Sequence, residues 1–171
     1  MALKVSKVDV WAGDLRDVPG GLADALERNA AGGRNIEFLI ARRDDKQSGV
    51  GKVFITPVSG ARAENAATRA GLRRAEDVAT LRIEGMDSPG MGSKITRAIA
   101  DAGINVRGVS AAAIGSRFVA YFGFDSEADA DAAMTAIRNA KLNGAPRKRA
   151  AAGRSAAKKP ARLRTSTRAR R

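Results

Sequence analysis

Two stretches of the chain, 70 residues apart, carry the same turn chemistry. Asp17-Val18-Pro19-Gly20-Gly21-Leu22 leads to Gly33-Arg34-Asn35-Ile36. Asp87-Ser88-Pro89-Gly90-Met91-Gly92 leads to Gly103-Ile104-Asn105-Val106. Asp, Pro, two Gly and Asn recur at one spacing (17 to 87, 19 to 89, 20 to 90, 33 to 103, 35 to 105). A fixed period constrains the fold more than any single motif does. Each copy is one supersecondary unit that buries its apolar face against a neighbour. At 171 residues the chain accommodates two such units.

Apolar periodicity fills in each copy. Val5 to Ala12 alternates as a half-buried strand, and Gly13 to Val18 reads as a loop. Pro19 starts a helix, where its missing N–H is not needed, and Leu22, Ala25, Leu26 and Asn29 recur at helical spacing up to the Gly32-Gly33 stop. Asn35 to Ala41 and Lys52 to Pro57 read as strands joined by a polar connection. Ala63, Ala66, Ala67 and Ala70 mark a second helix with a small-residue face. The second copy repeats the order: a strand from Val78 to Gly85, a helix from Pro89 capped by Ser88, a hairpin of Val106–Ile114 and Arg117–Phe124, and a helix through Ala130, Ala133, Met134 and Ile137. The acid-first start Asp125-Ser126-Glu127 suits that last helix's dipole. A fourth strand is weakly written in both copies. Either Leu72–Asp77 and Lys141–Gly144 are short edges, or Val78–Ile83 serves both units.

Charge separates the rest of the chain from these units. Residues 1–142 hold 20 Lys/Arg and all 18 Asp/Glu, whereas 143–171 hold 11 Lys/Arg and no acid. That segment has no apolar periodicity, so it is expected to be a disordered basic tail. The organisation expected is therefore a first unit at 4–74, a second at 75–142 and a tail at 143–171. With no Cys and no His, thiolate or imidazole metal sites, disulfides and His-based catalytic triads are excluded. No run of 18 apolar residues is present, so a membrane span is not expected. A cytoplasmic location is the default without a signal-like apolar core near the start.

A βαββαβ order gives an α+β, ferredoxin-like unit, an antiparallel sheet with two helices on one face. With Asp-x-Pro-Gly between first strand and first helix, and Gly-x-Asn before the second strand, each unit resembles an ACT domain. The resemblance covers about residues 4–142. It implies a tandem pair that binds a small molecule, most often a free amino acid, where the loop of one unit meets the other. It also implies pairing through sheet edges, including a possible homodimer, and no cofactor. The candidate ligand-binding residues are Asp17, Pro19, Gly20, Gly21, Leu22 and Asn35, with Asp87, Pro89, Gly90, Met91 and Asn105. The physics is compatible: helix N-termini present free N–H groups to a carboxylate, and glycine lets a ligand approach the backbone. Asp17 or Asp87 suits an ammonium group, and Asn35 or Asn105 offers both donor and acceptor. The first strand-to-helix loop reads as the longer, and Gly92 stands where the first unit has Leu22, so the two pockets are expected to differ. The same loops also make good helix-start chemistry with no ligand at all.

Other functions fit less well. RNA-recognition folds share the element order, but Arg117-Phe118-Val119-Ala120-Tyr121-Phe122 lacks their glycine and stacking aromatic, and Phe118, Phe122 and Phe124 read as core. Gly49-Val50-Gly51-Lys52 and Gly90-Met91-Gly92-Ser93-Lys94 complete neither phosphate-loop pattern. The chain thus reads as a non-catalytic regulatory protein with no metal site, its effect passing to a partner or through the tail. In the tail, Arg147, Lys148, Arg149, Lys158, Lys159, Arg162 and Arg164 are candidates for sequence-blind contact with nucleic acid. On that alternative the folded pair is only a dimerisation module.

Overall fold

The computed structural model describes residues 3–33, 35–140 and 142; the basic tail expected at 143–171 lies outside the described residues. The elements run β1 (Lys4–Val8), β2 (Trp11–Arg16), α1 (Gly21–Ala30), β3 (Phe38–Arg43), β4 (Val50–Thr56), α2 (Ala61–Arg69), β5 (Leu72–Arg74), β6 (Ala79–Met86), α3 (Met91–Asp101), β7 (Gly108–Ile114), β8 (Arg117–Phe124) and α4 (Glu127–Asn139). They form two four-stranded antiparallel sheets, ordered β3-β4-β2-β5 and β7-β8-β6-β1. Each sheet carries two helices on one face, so the expected α+β arrangement of two ferredoxin-like units holds. No helix among the described residues is long and apolar enough to cross a membrane.

The strand read from Val5 to Ala12 is two strands in different sheets. β1 pairs with β6, from Lys4 opposite Glu84 to Val8 opposite Thr80, although residues 4–8 were expected in the first unit. β2 then pairs with β4 and β5. The crossover at Asp9-Val10 is held by polar contacts. Thr56 Oγ1 donates to Asp9 O at 2.8 Å, Arg74 Nη2 meets the Asp9 carboxylate at 2.6 Å, and Ala75 N donates to Val10 O at 2.8 Å. The fourth-strand question therefore has a different answer in each sheet. In the first, β5 is a short edge of three residues; in the second, β1 occupies the equivalent place beside β6.

Alternation along β6 and β8 sends Leu81, Ile83, Phe122 and Phe124 onto the helices. There they meet Ile95 and Ile99 of α3 and Ala130, Ala133 and Ile137 of α4, all buried. The first core is smaller: Val53 and Ile55 of β4 lie under Ala63 and Ala67 of α2, with Leu72 of β5. Alanine there allows close helix approach. A Cβ on Gly32, just past α1, would lie 3.0 Å from Ala63 Cα and 3.2 Å from Ala66 Cβ. The opposite faces of the two sheets meet where Phe38 stacks on Tyr121, ring centroids 4.1 Å apart, and where Arg82 Nη1 lies 2.7 Å from Glu37.

Candidate functional site

The repeated Pro-Gly turns act one step before the helices rather than inside them. Gly21 N donates to Val18 O at 3.0 Å, and Met91 N to Ser88 O at 3.1 Å. Pro19 and Pro89 hold the second position of these turns, and Gly20 (φ 87°) and Gly90 (φ 82°) the third. This is type II geometry, which needs a left-handed residue there. Both glycines are also the helix N-caps, and neither helix has a side-chain cap. The Ser88 cap expected for α3 is therefore absent, because α3 begins at Met91 and its first helical bond runs from Lys94 N to Gly90 O. The N–H groups of the first turn, at Gly92 and Ser93, stay free of helical partners.

The two strand-to-helix loops have equal length, 17–20 and 87–90, against the expectation that the first is longer. Gly13-Asp14-Leu15-Arg16, read as loop, is strand. Both loops are anchored alike, Asp17 N on Gly49 O at 2.9 Å and Asp87 N on Ser116 O at 2.8 Å.

Side chains then separate the loops. In the first, the Asp17 carboxylate is clamped by Arg43 of β3, Nε to Oδ2 at 3.0 Å, and a Cβ on Gly21 would lie 2.2 Å from Arg16 O. In the second, the 70-residue offset puts Ala113 where Arg43 stands, and the Asp87 carboxylate makes no hydrogen bond or ion pair among the described residues. Met91, at the Gly21 position, is buried. A groove of about 340 Å³ runs between α3 and the β7 side of the sheet. Asp87, Met91 and Gly92 form one end, and Ile95, Ala113 and Phe118 contribute to its apolar walls.

Of the eleven candidate ligand residues, Asp87 and Met91 line this groove, and Pro89 and Gly90 shape the turn at its mouth. Asn105 does not line it. It lies past the far end of α3, a helix about 16 Å long at 1.5 Å per residue. Asp17, Pro19 and Gly20 belong to the clamped first loop, Gly21 and Leu22 open α1, and Asn35 is exposed beyond that helix. All the lining residues come from the second unit, so the two loops do not meet at this groove within one chain. Ala113 and Phe118 were missed as site residues. Extending the 70-residue offset past Asn105 to the Arg43–Ala113 pair would have found the first.

No family model matches the sequence, and no curated protein matches it. Solved structures do. The ligand-free regulatory subunit of aspartate kinase from Thermus thermophilus superposes with TM-score 0.59 at 20% identity, over 82% of this chain and 97% of that one. The fold here is a tandem ACT-like pair. Protein BT0572 from Bacteroides thetaiotaomicron matches it with TM-score 0.65 at 12% identity, over 77% of this chain and 88% of that one. Aspartate kinase from Synechocystis matches with TM-score 0.58 at 20% identity, over 86% of this chain but 28% of its own length. At these identities the likeness of the ACT-like pair to them is one of fold.

Proposed function

We propose that the chain is a non-catalytic regulatory protein that binds a free amino acid in the second-unit groove. One observation carries this reading: among the described residues Asp87 is unpaired beside an apolar groove, whereas Asp17 is clamped. The ammonium group goes to Asp87 and the carboxylate to the uncapped N–H groups of Gly92 and Ser93, where the helix dipole favours negative charge. Met91, Ile95 and Phe118 receive the side chain. Arg43 pairs with the equivalent carboxylate in the first unit, so one loop of the pair binds. The likeness in fold to the regulatory subunit of aspartate kinase from Thermus thermophilus supports the same role here, and a cytoplasmic location belongs to this reading. The exposed β7 edge, with Val109 and Ile114 uncovered, is the strand through which two copies pair.

The test is a thermal-shift screen of the full chain against the common amino acids, beside an Ala113→Arg variant. A ligand at 100 times its dissociation constant stabilises the protein by about 2.7 kcal/mol. Ala113→Arg, by importing the clamp, removes the shift. No shift with any amino acid, or one that survives the variant, overturns the assignment. A second reading concerns the tail, whose 11 Lys/Arg without an acid suit salt-dependent contact with nucleic acid. DNA retention at low salt that is lost on removing residues 143–171 supports it, and equal retention refutes it.

A further inference from the structure

A second hollow, of about 250 Å³, lies between the two units, where the helix-free faces of their sheets oppose each other. Phe38, Ile40 and Phe54 line it from the first sheet, and Thr80, Tyr121 and the pair Gly108–Gly123 from the second. These glycines sit directly opposite each other on β7 and β8. Glycine inside a strand weakens it and marks a close approach by another group. At Gly108 this leaves bare backbone beside aromatic walls, whereas Val78 covers Gly123, its Cγ1 3.2 Å from where a Cβ would stand. Gly108 is not needed for sterics, because a Cβ built on it meets nothing within 4 Å. The space over it is open.

Tyr121, Thr80 and Arg42 around this hollow are unspent among the described residues. Tyr121 and Thr80 are 6% and 7% exposed, and neither hydroxyl makes a hydrogen bond among the described residues. Burial pushes the Tyr121 phenol above its ordinary range, with Arg82 opposing and the Glu37 and Glu84 carboxylates adding to the rise. Arg107 at the rim is held by Asp77, Nη2 to Oδ2 at 2.7 Å. Arg42, also lining the hollow, makes no ion pair or side-chain hydrogen bond among the described residues. An apolar slot with a free guanidinium at its side suits a planar anion, since Arg presents a fork that matches a carboxylate. The volume falls below the roughly 300–1,000 Å³ of drug-sized pockets, which restricts the occupant to a single ring.

We propose that the inter-unit hollow is a second ligand site, for a single-ring aromatic carboxylate. The ring lies over Gly108 beside Phe38 and Phe54, and the carboxylate meets Arg42. Both units supply walls, so the ligand joins them across the interface. This site shares neither Asp87 nor Met91 with the groove beside α3, and it stands whether or not that groove binds an amino acid.

The full chain is titrated with benzoate and nicotinate, and with benzamide as the uncharged control, while the backbone amides of Gly108, Tyr121 and Gly123 are followed by NMR. The expected result is a saturable shift of these amides by at least one carboxylate, with benzamide weaker by about tenfold or more. Gly108→Val, which fills the slot, and Arg42→Gln, which removes the anion partner, each weaken binding by about tenfold or more. Both keep the unliganded spectrum of a folded protein. No saturable shift up to about 20 mM, a range that covers weak single-ring binding, overturns the proposal. So does a shift that neither variant changes.

Discussion

Replacing Val5 by Ala tests the assignment of β1 to the second sheet. Val5 is buried in the core formed with β6, β8, α3 and α4, and Arg138 Nη2 donates to its carbonyl at 3.2 Å. The substitution removes two methyl groups from that core while leaving the backbone pairing with Ile83 in place. At about 0.8 kcal/mol per buried carbon, transfer alone costs about 1.6 kcal/mol, and the cavity brings the loss to about 2 kcal/mol. That corresponds to an increase of roughly 25-fold in the opening equilibrium of the affected unit. Native-state hydrogen exchange reads it directly: the slow amides of β6, β8 and α4 exchange faster by about that factor. Trp11, the sole tryptophan, lies on β2 and reports on the first unit by fluorescence, which stays unchanged under native conditions. If protection is lost in β2 and β4 while β6 and α4 are unaffected, the placement of β1 is wrong.

Other consequences follow from residues at the turns and the interface. Gly20→Ala and Gly90→Ala each force a left-handed alanine with no atom within 4 Å of its Cβ; denaturant melts are expected to show losses of about 1–2 kcal/mol for either, while only Gly90→Ala weakens amino-acid binding. Arg43→Ala frees Asp17 and opens the first loop, so a second, weaker amino-acid site appears in calorimetric titration; unchanged stoichiometry refutes the clamp. The Arg107 hydrogen bond lowers the Asp77 carboxyl below its usual range. Its folded pKa lies under the unfolded one, so the stability it adds is present above about pH 4 and is lost as pH falls through the folded value. Asp77→Asn therefore narrows the stability difference between neutral and acid pH, and an unchanged acid profile contradicts the pairing.

Local chemistry made most of the architecture legible. The period-2 runs at Val53–Ile55, Leu81–Ile83 and Phe122–Phe124 bury the residues expected, and the alanine stripe of α2 and the Gly115-Ser116 hairpin fall where read. What escaped was non-local. Alternation through Val5–Ala12 is the same whichever sheet each half joins, and a strand's partners leave no mark on its own period. Gly13 and Asp14 look like a loop because both are poor strand formers. Gly13 is required because β5 passes so close that a Cβ would lie 2.5 Å from Gly71 O. Asp14 is matched by its cross-strand partner Lys52. The helix starts were misplaced by two residues because proline is favoured both inside a helix start and in a turn ahead of it. The turn prevails here because Gly20 and Gly90 take the left-handed conformation. At the site, the repeated residues give the shared scaffold. The exchange of Arg43 for Ala113 separates the loops, and a search for identities passes over exchanges.

The position of β1 makes the chain a circular permutation of a simple duplication. Beside β6 it takes the place that β5 takes beside β2, yet it precedes β2 rather than following α4. The Arg138 contact to Val5 sets the end of α4 next to this strand. A gene rewired to run from α4 into β1, and opened between Asp9 and Val10, would encode two uninterrupted βαββαβ copies in succession. In this order β1 has no partner until β6 has been made, more than 70 residues later. The second unit therefore cannot close its sheet without reaching back across the whole of the first, so the two copies are tied by their shared chain path as well as by their contacts.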